Sequence, residues 1–223
     1  LDLKHHLRNH AKFIDYHRLE VGEEIIEAKS VVIATGSSPK LMAMIIGLGV
    51  RLIVNDDVFE WETLPESVAV FGPGVIGIEL GQALHRLGVR IRVFGRSGSL
   101  TPLSDIAIRD YAEKVFQAEF PLDTKANLHG LEREGDQVKI RFVDKEDGKE
   151  KEENFEYVLA ATGRSPNVIN LGLENTSLEL DSREVPVFDP NTMQCGDSSI
   201  FIAGDVNNTS PAIKIDESPH CIV

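Results

Sequence analysis

Cysteine is scarce: only Cys195 and Cys221 occur in 223 residues. They are too few and too far apart for a disulfide scaffold, and no CxxC pair is present to hold zinc. Such sparing use fits a reducing compartment, so we expect a cytoplasmic protein. No apolar run is long enough to cross a bilayer, and Leu1–His10 does not read as a secretory signal. Basic residues are also outnumbered, with 23 Lys and Arg against 36 Asp and Glu, a formal charge of −13. Nucleic acids and anionic membranes require cationic surfaces, so neither is an expected partner. Low-complexity tracts and solenoid repeats are missing. An initiator Met is missing too, and the chain stops at "SPHCIV", which leads us to expect a piece of a longer protein. What is present is a hydrophobic fraction of 42%, enough for the core of one large or two modest domains.

Residues 11–35 read as short strands joined by polar turns, closing on the apolar run "SVVIATG" and a stop at "GSSP". From Val68 the pattern changes. "VAVF" is a continuous apolar strand of the kind buried on both faces of a parallel sheet. "VIGIELGQALHRL" has helical period, with Gly88 placed as its C-terminal cap. "RIRVF" is a second strand. "DIAIRDYAEKVFQAE" predicts an amphipathic helix with Ile108, Tyr111, Ala112, Val115 and Phe116 on one stripe. "KANLHGLERE" and "QVKIRFVDK" predict a hairpin, "DKEDGKEKEEN" a solvated turn, "FEYVLAATG" another buried strand, and "SIFIAGD" repeats that strand-to-glycine theme.

Gly72, Gly74 and Gly77 form GxGxxG directly after a strand and at the head of a helix. The first glycine permits the tight turn, the second lets backbone approach a pyrophosphate, and the third lets helix and strand pack closely. The helix start, with Val75 and Ile76, then offers unpaired N–H groups and partial positive charge to phosphate. Strand, turn, helix and next strand stand in the order that gives the motif its meaning. At the end of that next strand, "VFGRS", Gly95 stands where an NAD enzyme carries a carboxylate for the ribose 2′-hydroxyl. Arg96 is suited to a 2′-phosphate, which favours NADP over NAD, with Ser97 as a further donor. The alternative for Arg96 is a solvated loop residue.

Three further motifs flank this unit: "VVIATGSSP" (31–39), "LAATGRSPN" (159–167) and "IFIAGDV" (200–206). In this order the set resembles the FAD-dependent pyridine nucleotide–disulfide oxidoreductases, and within them the dihydrolipoamide dehydrogenases, over residues 11–208. The resemblance implies an α/β fold: a Rossmann-like, doubly wound NAD(P) domain, with β-meanders, inserted into part of an FAD domain. The expected division is 1–38 for a partial FAD domain, 39–180 for the NAD(P) domain, and 181–223 for the return to the FAD domain. It implies FAD and NAD or NADP as cofactors, with Ala34, Thr35 and Gly36 lying against FAD. Gly204 would serve the ribityl and phosphate region, and Asp205 would accept a sugar hydroxyl unless it is a turn aspartate. Gly163 and Arg164 match the loop over the nicotinamide nucleotide, with a structural ion pair as the alternative for Arg164. Glu79 matches a helix glutamate near the nicotinamide, unless it simply points to solvent.

The family's chemistry needs features this chain does not carry. No GxGxxG precedes Ala34, no CxxxxC redox pair is present, and no His–Glu acid–base signature follows His220. His6 and His10 have a metal-compatible spacing only if helical, and no carboxylate completes a set. We therefore expect part of a flavoprotein whose intact form is a homodimer, moves hydride between NAD(P)H and FAD, and passes electrons to a disulfide such as lipoamide. The piece alone is expected to be inactive. The alternatives are a non-catalytic dinucleotide-binding module, or a transhydrogenase or NADH oxidase.

Overall fold

The structure, a computed structural model, describes residues 7–98, 100, 102–145 and 147–207. The chain divides into two compact units, one of residues 1–38 and 165–223, the other of residues 39–164. His6, Cys221 and the tail beyond Asn207 lie outside the described residues.

The first unit opens with an antiparallel meander of β1 (Ala11–Phe13), β2 (Arg18–Val21) and β3 (Glu24–Glu27). Its first turn is tied by Asp15, whose carboxylate accepts from the backbone N–H of His17 and Arg18 and from the Arg18 side chain. Next come β4 (Val31–Ile33) and β5 (Ser37–Pro39).

In the second unit a single turn α1 (Ala43–Ile46) leads to β6 (Leu52–Ile53), β7 (Ser67–Phe71), α2 (Val75–Arg86), β8 (Arg90–Phe94), α3 (Ile106–Glu119) and β9 (Leu122–Asp123). A meander follows, β10 (Asn127–Glu134), β11 (Gln137–Val143) and β12 (Glu150–Phe155), and then β13 (Tyr157–Ala160) returns to the sheet. The sheet is parallel throughout, in the order β6-β13-β7-β8-β9. Alternation along β7 feeds two cores, because successive strand side chains point to opposite faces. Val68 and Val70 pack with Leu84, Val93 and Leu159 towards the helices. Ala69 and Phe71 pack with Val138, Ile140, Phe142 and Phe155 of the meander. The second face of this Rossmann-like sheet is thus covered by the antiparallel meander, where a doubly wound fold has helices.

After β14 (Arg164–Pro166) the chain re-enters the first unit, where β15 (Ile200–Ile202) pairs in parallel with β4, Ile202 opposite Ile33. Their core contains Phe13, Ile33, Val168, Leu171, Leu173, Val185, Cys195, Ile200 and Ile202. Among the described residues, no helix is long and apolar enough to cross a membrane.

Three local expectations change. The second unit ends at Arg164, whereas the sequence reading carries its domain to 180. Residues 165–180 join the first unit because Val168, Leu171 and Leu173 bury beside Phe13, whose N–H donates to the Leu171 carbonyl at 2.7 Å. The charged stretch expected as a turn contains β12, which pairs antiparallel with β11; Phe155 is buried opposite Val138, Arg141 is in register with Glu152, and Lys139 is 3.6 Å from the same carboxylate. Only Ala112 and Phe116 of the α3 stripe pack on the core, while Ile108, Tyr111 and Val115 stay 58%, 71% and 46% exposed.

Candidate functional site

In an open α/β sheet, ligands bind beyond the carboxyl ends of parallel strands, where the strand order reverses. In the second unit that point lies at β7, flanked by β13 on one side and β8 on the other. The residues singled out from sequence gather at that end. Gly72 follows β7, Gly95 and Arg96 follow β8, and Gly163 follows β13.

The glycine turn is held on both sides. The N–H of Gly72 donates to the Phe94 carbonyl at 2.9 Å, and the Ala161 N–H donates to the Phe71 carbonyl at 2.8 Å. Gly72 has a φ of 111°, a conformation L side chains rarely adopt. A Cβ there would lie 2.2 Å from the Ala161 carbonyl oxygen. A Cβ on Gly77 would lie 1.9 Å from the Gly72 carbonyl oxygen, so helix and turn meet backbone to backbone.

α2 begins with Gly74 as its N-cap, which supplies no side-chain hydrogen bond. The first intrahelical bond runs from the Ile78 N–H to the Gly74 carbonyl at 2.9 Å. The N–H groups of Val75, Ile76 and Gly77 precede it and have no intrahelical partner. With the positive end of the helix dipole, they form an anion-binding end whose approach is kept clear of side chains by glycine. This donor set fits a pyrophosphate.

Glu79 lies on the exposed side of α2, so its charge carries no burial cost. Arg96 is exposed just past Gly95. Arg164 Nη1 lies 3.4 Å from the Asn55 side-chain oxygen. The Gly163 carbonyl accepts from the Lys40 N–H at 2.9 Å, and the Thr162 hydroxyl donates to the Lys40 carbonyl.

In the first unit, the two remaining motifs sit side by side at the carboxyl ends of the β4–β15 pair. Ala34, Thr35 and Gly36 follow β4. Gly204 and Asp205 open a one-turn helix after β15, and the Ala203 N–H donates to the Ile33 carbonyl at 2.9 Å. Ala34, Thr35 and Asp205 are exposed. Sequence reasoning missed the residue that shapes this loop, Asn167. Its side-chain amide donates to the Thr35 carbonyl at 2.9 Å and its backbone N–H to the Gly36 carbonyl at 2.9 Å. It also accepts from the Thr35 hydroxyl at 2.7 Å and from the Ser38 hydroxyl at 2.8 Å. Its one local signal is its place at the end of "ATGRSPN".

Among the described residues, neither loop carries a cysteine. Cys195 is fully buried, and burial pushes its thiol up to about 11. The His10 ring is engaged with the Asn170 carbonyl at 2.9 Å.

The sequence profile of the pyridine nucleotide-disulphide oxidoreductases matches residues 4–218. A dihydrolipoyl dehydrogenase of Bacillus subtilis is 30% identical over 190 residues, covering 83% of this chain and 39% of that protein. A mercuric reductase of Lysinibacillus sphaericus is 32% identical over 203 residues, covering 90% and 36%. A soluble pyridine nucleotide transhydrogenase of Marinomonas is 32% identical over 197 residues, covering 88% and 41%. The chain therefore spans well under half the length of these relatives. Among solved structures, LpdA from Mycobacterium tuberculosis shares the fold with a TM-score of 0.75 at 24% identity, covering 92% of this chain and 46% of that one. The chain belongs to the pyridine nucleotide-disulphide oxidoreductase family.

Proposed function

We propose that residues 39–164 bind a nicotinamide dinucleotide and that the loops after β4 and β15 supply part of an FAD site. The intact protein would be a flavoprotein oxidoreductase that moves hydride between NAD(P)H and FAD, and electrons on to a disulfide such as lipoamide. Family membership implies both cofactors, and when bound they supply the redox chemistry. The chain's own residues bind and orient. The N–H groups of Val75, Ile76 and Gly77 hold the pyrophosphate against Gly72 and Gly74, Arg96 meets the adenosine ribose, and Glu79 stands near the nicotinamide. Gly163 and Arg164 border the nucleotide. Ala34, Thr35 and Gly36 line FAD, while Gly204 and Asp205 serve its ribityl end, the carboxylate accepting a sugar hydroxyl.

The observation that carries this reading is the uncapped start of α2 beside a turn in which neither Gly72 nor Gly77 has room for a side chain. Calorimetric titration of the folded protein with NADH and NADPH tests it; no heat from either removes it. The flavin assignment predicts that the intact protein purifies yellow, and a colourless product favours the non-catalytic binding module. This stretch does not itself reduce disulfides, because its two cysteines lack the redox-pair spacing and Cys195 is buried as a thiol. The transhydrogenase reading rests on the Marinomonas relative. Hydride passage between the two nicotinamide dinucleotides, without reduction of lipoamide, would select it.

A further inference from the structure

With a nicotinamide dinucleotide bound to residues 39–164, the reading on which this inference rests, its adenosine end lies where the second strand of the βαβ unit stops. Here that is the loop after β8. The loop leaves no room for a carboxylate on the strand end. A Cβ on Gly95 would lie 2.6 Å from the Thr124 carbonyl oxygen and 2.7 Å from Cγ of Pro73, and both of those residues are buried. Pro73 is the residue between Gly72 and Gly74 of the glycine motif, so its ring stands in the volume that a Glu or Asp at 95 would enter.

The same loop is fastened to the turn after β9. The Gly95 N–H donates to the Asp123 carbonyl at 2.6 Å, Gly98 N–H to the Thr124 carbonyl at 2.8 Å, and Ala126 N–H to the Gly95 carbonyl at 2.8 Å. This ladder sets a second cation, Lys125, against the loop that carries Arg96. A Cβ on Gly98 would lie 3.7 Å from Cδ of Lys125, so the lysine stem runs along the loop. The Asp123 carboxylate is buried and accepts the Lys125 backbone N–H at 3.0 Å, which orders the turn.

Arg96 and Lys125 are exposed, and neither has an ion-pair partner among the described residues. By contrast Arg18, Arg51, Arg86, Arg90 and Arg92 each face a carboxylate. In a chain of charge −13, two cations left without carboxylates on adjoining loops make a local anion site. One of them can act as a fork on phosphate and the other as a point charge.

We propose that Lys125 is a specificity-determining residue which, with Arg96 and behind the carboxylate-excluding Pro73–Gly95 contact, selects a dinucleotide bearing a 2′-phosphate. The test is titration of the intact protein with NADPH and NADH, with 2′-AMP and 5′-AMP as probes of the adenosine end alone. Wild type should bind NADPH tighter than NADH, and 2′-AMP tighter than 5′-AMP. Lys125→Ala should weaken NADPH and 2′-AMP about tenfold, as expected for loss of one charged contact to phosphate, and leave NADH unchanged. Lys125→Arg should recover the preference, and Lys114→Ala, at another exposed lysine, should leave it intact. Preference of the wild type for NADH, or an equal or absent effect of Lys125→Ala on the two nucleotides, overturns the proposal while the dinucleotide reading stands. A folded wild type that binds neither nucleotide overturns that reading itself.

Discussion

Gly77 tolerates nothing larger than hydrogen, since its nearest neighbour is a carbonyl oxygen of the turn it supports. Gly77→Ala must push α2 away from Gly72, and we expect a loss of about 3 kcal/mol of stability together with loss of the NADH and NADPH heats. Chemical denaturation and calorimetry check the two effects separately. Cys195 makes a different statement. Its buried thiol titrates at about 11 against an ordinary 9.0, so the folded core accepts only the protonated form. The unfolded chain releases that proton from about pH 9, which means Cys195 costs stability as pH rises from there towards 11 and costs none below. The difference between the protein and its Cys195→Ala variant should shrink over that window by up to about 3 kcal/mol. In a Cys221→Ala background the folded protein should also resist iodoacetamide at pH 8, and rapid labelling would contradict the buried thiol. The glycines were legible because three positions within six residues state a turn. Asn167 was not, because its partner Thr35 lies 132 residues earlier in the chain.

α2 and α3 are tied by polar contacts as well as by their shared core. The Glu119 carboxylate accepts from Arg86 Nε at 2.6 Å and from the Gln82 amide at 2.7 Å, and these bonds, Arg86 first, hold its pKa below the ordinary 4.5. A carboxylate lowered in the folded state stabilises above its unfolded value, and the contribution disappears as pH falls through the folded value. Urea midpoints followed from pH 7 to pH 3 should therefore drop for the protein and drop less steeply for Glu119→Gln, which starts lower. Identical acid limbs would show that the tie contributes nothing. The helices themselves were evident from their period, including the stop at Gly88, whose N–H donates to the His85 carbonyl at 2.9 Å. The α3 stripe shows where periodicity runs out. It identifies an apolar face, but whether that face is covered depends on how far the neighbouring sheet extends beneath it. β12 shows the converse, a strand whose one apolar residue is Phe155 and which is nonetheless paired along its length with β11.

Residues 39–164 are continuous in sequence and contain their own two cores, whereas the other unit is assembled from two segments of the chain. A fragment of residues 39–164 should therefore fold by itself, with a single cooperative thermal transition, and give the same heats with NADH and NADPH as the longer chain. A fragment that remains unfolded by circular dichroism would refute this autonomy. Local order along the chain was enough to specify the βαβ turn, the two ATG loops and the GD loop, because each depends on residues a few positions apart and on periods of two or 3.6. The closure of residues 165–180 onto Phe13, the Asn167 clasp on the loop of Thr35 and Gly36, and the meeting of Pro73, Gly95 and Thr124 came only with folding. Each joins positions distant along the chain, and burial and backbone pairing across such distances are fixed by the packed structure alone.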